Sequence, residues 1–157
     1  MGWVLANLEL IGSRTLAHLA LAVPAIALSF VLALPLGWYA ATHRWSRATL
    51  LTAAGLLYAI PSLPLFVVLP TIFGFGVRDA ANVIIALTLY GLALMVRSAA
   101  DALASVGAPV RLSSTALGYS AAGRFWQVEL PLAGPVLLAG LRVVSVSTIS
   151  LVTVSSL

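Results

Sequence analysis

The chain has 157 residues, 62% of them apolar and 8% charged, against about 25% charged in an ordinary soluble domain, so it cannot furnish a water-facing surface. All eight basic residues are arginine and cysteine is absent, which excludes a P-loop, a Schiff-base amine, disulfides, thiolate zinc sites and a thiol nucleophile. The net charge of +4 would suggest a nucleic-acid partner in a soluble chain, but in lipid the distribution of arginine among the connections is what matters, and no nucleic acid is expected.

A helix that crosses a bilayer needs about 20 mainly apolar residues. Residues 1–14, with Leu5, Leu8 and Ile11 three apart and Glu9 and Arg14 among them, read as an interfacial segment. Residues 15–42 make a first span, whose apolar run is too long for a signal peptide and which lacks an Ala-x-Ala site before a polar mature chain. Residues 48–77 make a second and residues 80–100 a third, near whose end Arg97 and Asp101 stand one turn apart and can pair as the helix emerges. Residues 132–157 make a fourth, interrupted by Arg142. The expected fold is an all-α membrane protein, a bundle of at least four transmembrane helices in one domain, with a short segment, residues 105–131, between the last two spans.

Alternation of the spans puts Arg44, Arg47, Arg97, Arg111 and Arg124 on one side and Arg14 and Arg78 on the other. The positive-inside rule then makes the N-terminus external and residues 105–131 cytoplasmic. Pro61, Pro64 and Pro70 fall inside the second span, where each removes a backbone donor. Such a break at membrane depth survives where protein or a water-filled cavity surrounds it. Two readings stand, a break lining a translocation path and a kinked helix packed on its neighbours. The stretch from Val143 alternates enough to suggest a strand, but lipid would leave an open strand's backbone unpaired, so a helix is expected. Its hydroxyls, from Ser145 to Ser156, can bond their own backbone, a facing helix or a polar solute. The run stops at Ser156-Leu157 with no polar flank, which leads us to expect a longer protein, truncated at this C-terminus.

The segment Val110-Arg111-Leu112-Ser113-Ser114-Thr115-Ala116-Leu117-Gly118-Tyr119-Ser120 continues through Arg124-Phe125-Trp126 to Val128-Glu129-Leu130-Pro131. Pro109 is expected to close the preceding span, and a short helix to run from Ser113 to Leu117 with Gly118 as its left-handed cap. Ser120 can cap a second short helix that ends before Pro131. Exposed apolar side chains on two such helices need a partner or the spans to cover them.

In this segment the sequence resembles the inner-membrane permease subunits of ABC importers. Their cytoplasmic loop carries Glu-Ala-Ala, three residues, Gly, and then Leu-Pro thirteen residues after the Gly. Gly118 and Pro131 stand thirteen apart, with Leu130 before the proline and Val128 at the family's apolar position. Leu112, Ser113 and Ser114 occupy the Glu-Ala-Ala positions, so the acidic residue that braces the loop in the family is missing there. Leu34-Pro35-Leu36-Gly37, Ile60-Pro61-Ser62-Leu63, Phe73-Gly74-Phe75-Gly76, Val128-Glu129-Leu130-Pro131-Leu132-Ala133 and Ala139-Gly140-Leu141-Arg142 are similar to permeases for glycine betaine, carnitine and choline.

The resemblance implies a permease that binds no cofactor itself, with ATP and magnesium used by partner ABC ATPase subunits. It further implies a second permease subunit, the same or homologous, an extracytoplasmic solute-binding protein, and a bacterial inner or plasma membrane location. Ser113, Ser114, Thr115, Ala116, Leu117, Gly118 and Tyr119 would form the ATPase-coupling helix and its turn, and Pro131 would restart the membrane helix.

Gly118-Tyr119-Ser120-Ala121-Ala122-Gly123 has one residue too many for a nucleophile elbow, and His18 and His43 stand at opposite ends of one span, too far apart to share a metal. For a quaternary ammonium solute, Trp38, Tyr58 and Tyr90 are the membrane aromatics able to offer cation–π attraction; with Pro61 they make the candidate solute path. The other reading of these rings is packing. Arg142, about 15 Å into the last helix, is expected to pair with Asp101 or with carbonyls of residues 105–131. The chain is expected to be an osmoprotectant permease and not an enzyme. A permease for another small solute such as an amino acid, or a membrane scaffold without a solute path, are the alternatives.

Overall fold

The computed structural model describes residues 2–60, 62–74 and 76–155, and every regular element among them is helical. In chain order these are α1 (Gly2–Ala6), α2 (Leu8–Thr42), α3 (Arg44–Ala59), α4 (Ser62–Phe73), α5 (Ala80–Ala104), α6 (Ala108–Ala116), α7 (Ala121–Arg124), a π-helical turn (Phe125–Glu129) and α8 (Leu130–Ser155). Three helical stretches are long and apolar enough to cross a membrane, or four if α3 and α4 together make one broken span.

Helix α5 stands at the centre, with α2, α3, α4 and α8 packed around it. Small residues let α2 approach it closely. The buried positions of α2 are Ala22, Ala25, Ser29, Ala33, Gly37 and Ala40, a stripe spaced three or four apart. Between apolar helices in lipid, such stripes give van der Waals contact that bulkier side chains would prevent. A Cβ on Gly37 would stand 2.5 Å from the Ala99 Cβ and 2.9 Å from the Ala100 nitrogen. A Cβ on Gly140 would stand 2.6 Å from that of Ser98, which sets α8 against α5. Polar bonds reinforce the packing: Ser29 Oγ donates to the Thr88 carbonyl at 3.0 Å, and the His18 ring bonds the Ile149 carbonyl at 2.9 Å.

Residues 8–14 are continuous with the first span in the long helix α2. Within residues 48–77, where the prolines predict a break or a kink, α3 and α4 meet at 108°. Ile60 ends α3 in an extended conformation, φ −68° and ψ 125°, as the residue before a proline prefers; Pro61 itself lies outside the described residues. Pro109 does not close α5 but opens α6, at a position where its missing N–H costs nothing.

Nor does Pro131 restart a helix. It sits at the second residue of α8, and α7, the π turn and α8 follow one another without a break. In the π turn the Leu130 N–H bonds back to the Phe125 carbonyl, five residues earlier, and this wider ring accommodates the proline just behind it. The stretch from Val143 is helical through Ser155, and Ser145 and Ser150 bond the carbonyls of Leu141 and Val146 in their own helix.

Candidate functional site

Two places combine polar chemistry with exposure. The first is the segment between α5 and α8. Helix α6 ends in a Schellman motif: Tyr119 N donates to the Ser114 carbonyl at 3.2 Å and Gly118 N to that of Thr115 at 3.0 Å, with Gly118 at φ +86°. A side chain at this φ would be strained, which is why glycine serves there. Ser120 then caps α7, its Oγ accepting from Gly123 N at 3.1 Å.

Beneath this segment lies Glu129, whose side chain is fully buried. Its Oε1 accepts from Arg124 Nε at 2.8 Å and stands 3.4 Å from Arg111 Nε; its Oε2 accepts from the Trp38 indole at 3.2 Å. The two arginines reach further. Arg111 Nη2 donates to the Leu103 carbonyl at 2.6 Å, and Arg124 Nη1 to Thr115 Oγ1 at 2.9 Å. One carboxylate therefore ties α2, the end of α5, α6, α7 and the start of α8 into a unit. Buried charge is tolerated because two cations and an indole satisfy it. Phe125 packs against Trp38 at 5.5 Å and Trp126 at 5.1 Å, adding an aromatic layer.

Leu112 carries no acid, and the carboxylate that the segment's arginines hold is Glu129, at its other end. Glu129 lies within the Val128–Pro131 motif, whose pattern gives it no role. A signal was present: it is the sole acid after Asp101, in a stretch that holds Arg111, Arg124 and Arg142, and a lone acid among arginines beside a membrane is a pairing candidate.

Of the residues singled out for coupling, Ser114 is buried and bonds the Val110 carbonyl at 2.7 Å, facing the bundle. Ser113, Thr115, Ala116, Leu117, Gly118 and Tyr119 are exposed. Leu112, Leu117 and Trp126 stand out at 71, 79 and 62% exposure, an apolar surface on a segment held rigid from behind.

The second place is the break between α3 and α4. The Tyr90 hydroxyl of α5 donates to the Ile60 carbonyl, satisfying an acceptor that the end of α3 leaves open. Its ring meets Tyr58 edge to face at 6.0 Å. Both line a cavity of about 510 Å³ with Ser62 from α4, Leu94 from α5 and Val146, Ser147, Thr148 and Ser150 from α8. Tyr58 and Tyr90 are therefore brought together. Trp38 is not with them, because its indole is drawn to Glu129 at the far end of the bundle.

The expected ion pairs also differ. Asp101 accepts from Arg47 Nη2 at 2.5 Å rather than pairing with Arg97, and Arg47 also reaches the Ala100 carbonyl at 3.3 Å. The start of α3 lies over the end of α5, which brings Arg47 to Asp101. Arg142 pairs neither with Asp101, which is engaged by Arg47, nor with a carbonyl of residues 105–131. Arg142 is exposed and lines a second cavity, of about 520 Å³, with Ala139, Val143, Val146 and Ser147. No cluster of metal-ligating side chains occurs among the described residues.

Comparison with known proteins agrees with these features. Residues 33–157 match the family described as binding-protein-dependent transport system inner membrane component. The osmoprotectant import permease protein OsmW of Salmonella typhimurium is 32% identical over 98% of this chain and 73% of its own length. The ergothioneine transport permease/ergothioneine binding protein EgtU of Helicobacter pylori is 34% identical over 78% of this chain and 22% of its own. The choline transport system permease protein OpuBB of Bacillus subtilis is 27% identical over 91% of this chain and 64% of its own. This chain therefore spans less than two thirds of the last two proteins.

Proposed function

Since the chain belongs to the family of inner membrane components of binding-protein-dependent transport systems, we propose that it forms the membrane path for an osmoprotectant quaternary ammonium compound such as glycine betaine, choline or carnitine. It is a multi-pass membrane permease component, and the catalytic work of such a system falls to other subunits. In this reading ABC ATPase subunits, which use ATP and magnesium, dock on α6 and the turn after it. A second permease subunit completes the path, and an extracytoplasmic binding protein delivers the solute. The α6–α7 end faces the cytoplasm and the N-terminus faces out.

The observation that carries the reading is the exposure of Leu112, Leu117 and Trp126 on a segment clamped by Glu129. A segment so clamped transmits force, since a partner that moves it must move α2, α5 and α8 with it. Similarity to OsmW and OpuBB supports the osmoprotectant class. Similarity to EgtU supports, as a second reading, a permease for a different small solute.

Two measurements test this. Uptake of labelled glycine betaine, choline and carnitine is compared in cells with and without the chain; uptake that does not depend on the chain overturns the solute class. Co-purification asks for an ATPase subunit; a chain that retains none with or without solute is a scaffold instead.

A further inference from the structure

The cavity of about 510 Å³ at the break between α3 and α4 reaches membrane depth, since Tyr90 and Gly91, which line it, stand near the middle of the 25-residue helix α5. No acid and no arginine occurs among its described lining residues. Its polar side chains carry hydroxyls instead. In α8, Ser145 and Ser150 bond carbonyls of their own helix, whereas the Ser147 and Thr148 side chains form no hydrogen bond with a described residue. Thr148 is 2% exposed and lines the cavity. A buried hydroxyl without a partner is costly unless water or a ligand satisfies it, so its place on the cavity wall points to an occupant with a polar end.

Another part of the wall is aromatic. Tyr58 and Tyr90 are inclined at 70° with ring centroids 6.0 Å apart, so neither ring covers the other's face as a stacked ring would. The bond from the Tyr90 hydroxyl to the Ile60 carbonyl fixes one of the rings before any solute arrives. The negative face of such a ring attracts a cation, the more so away from water. An ammonium with N–H protons would leave its hydrogen bonds to water behind and find no carboxylate here to replace them. A quaternary ammonium has no N–H to satisfy, and its methyl groups can lie against the rings.

We propose that this cavity is a binding site of the permease itself for a trimethylammonium group, which rests on Tyr58 and Tyr90 while Ser147 and Thr148 hydrogen-bond the polar end of the solute. A hydroxyl donates to a carboxylate or accepts from an alcohol, so the site takes glycine betaine, carnitine and choline alike and rejects amines with fewer methyl groups. Selection by methylation is thus exerted within the membrane, after the binding protein has released the solute. This rests on the reading of the chain as a permease for quaternary ammonium solutes.

The test measures binding of labelled choline to the assembled permease–ATPase complex in nanodiscs, without the binding protein, whose own site would mask it. Competitors are glycine betaine, dimethylglycine, glycine and 3,3-dimethylbutanol, the uncharged carbon analogue of choline. Binding should be saturable and displaced about tenfold better by glycine betaine than by glycine, with dimethylglycine between them, and choline itself should outcompete 3,3-dimethylbutanol about tenfold. Tyr58→Leu should weaken choline binding about tenfold and Tyr58→Phe by less than about threefold, because the ring face and not its hydroxyl holds the cation. Thr148→Val, nearly the same in shape, should weaken it about fivefold. Affinity unchanged in both Tyr58→Leu and Thr148→Val, or 3,3-dimethylbutanol binding as well as choline, would overturn the proposal. So would a parent complex that transports choline or glycine betaine once its binding protein is added yet binds neither without it; that outcome leaves the permease reading standing. A complex that transports no quaternary ammonium solute with its binding protein present overturns that reading and the proposal together.

Discussion

The indole of Trp38 on α2 donates a hydrogen bond to Oε2 of Glu129 in the π turn, 91 residues away in sequence, at 3.2 Å. This bond connects the first long helix to the segment proposed to meet the ATPase. The same carboxylate holds Arg124 and Arg111 through its other oxygen. Removing the charge leaves those two cations without their acid. Glu129→Gln should lower unfolding stability by about 2–4 kcal/mol, below the full buried-pair cost because both arginines are about one-fifth exposed. Thermal unfolding of the purified protein in detergent measures it, and ATPase co-purification should fall in parallel. A change under about 0.5 kcal/mol would show that the network does not brace the segment.

Asp101→Asn provides the contrast. Its pair with Arg47 is short, but the side chains are 55% and 33% exposed. Solvent screens such a pair, so the loss should be below about 1 kcal/mol in the same assay. Two ion pairs of similar length should thus differ severalfold in worth because only one is buried.

Gly118→Val tests the turn. Nothing lies within 4 Å of a Cβ there, so there is no clash, and the whole effect comes from forcing a β-branched residue to φ +86°. The strain is about 1–2 kcal/mol and acts on the turn that ends α6. ATPase co-purification and solute uptake should both fall, while the melting of the bundle moves little. Retained coupling would put the docking surface elsewhere.

Gly37→Ala tests the α2–α5 contact, where the added methyl would stand 2.5 Å from the Ala99 Cβ. The helices must separate, at a cost of about 1–3 kcal/mol. Gly134→Ala in α8, where a Cβ meets nothing within 4 Å, should be neutral or stabilising by up to about 1 kcal/mol through helix propensity. Melting of both variants in parallel separates close packing from propensity.

Tyr90→Phe keeps the ring beside Tyr58 and removes the donor to the Ile60 carbonyl. An acceptor left open at the end of α3 costs about 1–3 kcal/mol and should loosen the break between α3 and α4. Uptake should fall more than for Tyr58→Phe, since no hydrogen bond joins the Tyr58 hydroxyl to that carbonyl. Equal effects of the two variants would mean that the hydroxyl bond does not shape the path.

Much of the architecture was legible in the sequence because it follows from local sums. Hydropathy over windows of about 20 residues marks the spans, Ser120 and Gly118 announce their caps by residue type, and the Gly118–Pro131 interval marks the segment between the spans only through the family resemblance. The Schellman turn and the Ser120 cap are observed where those residue types put them. A proline stretch beginning at Pro61 predicts a disturbed second span, and α3 ends at Ala59 with α4, from Ser62, at 108° to it.

What the tertiary structure alone decided is which charges meet. By spacing, Arg97 is the natural partner of Asp101, yet Arg47 takes that carboxylate because α3 begins beside the end of α5. Trp38 was a candidate for the solute path and instead holds Glu129, which no local pattern placed at a hub. Such pairings depend on which helix faces touch, and those faces are set by the small-residue stripe that seats α2 on α5 and by Gly140 on Ser98. A single apolar helix needs only its own residues to be stable in lipid, whereas a buried carboxylate is tolerable only where packing delivers cations from several helices at once.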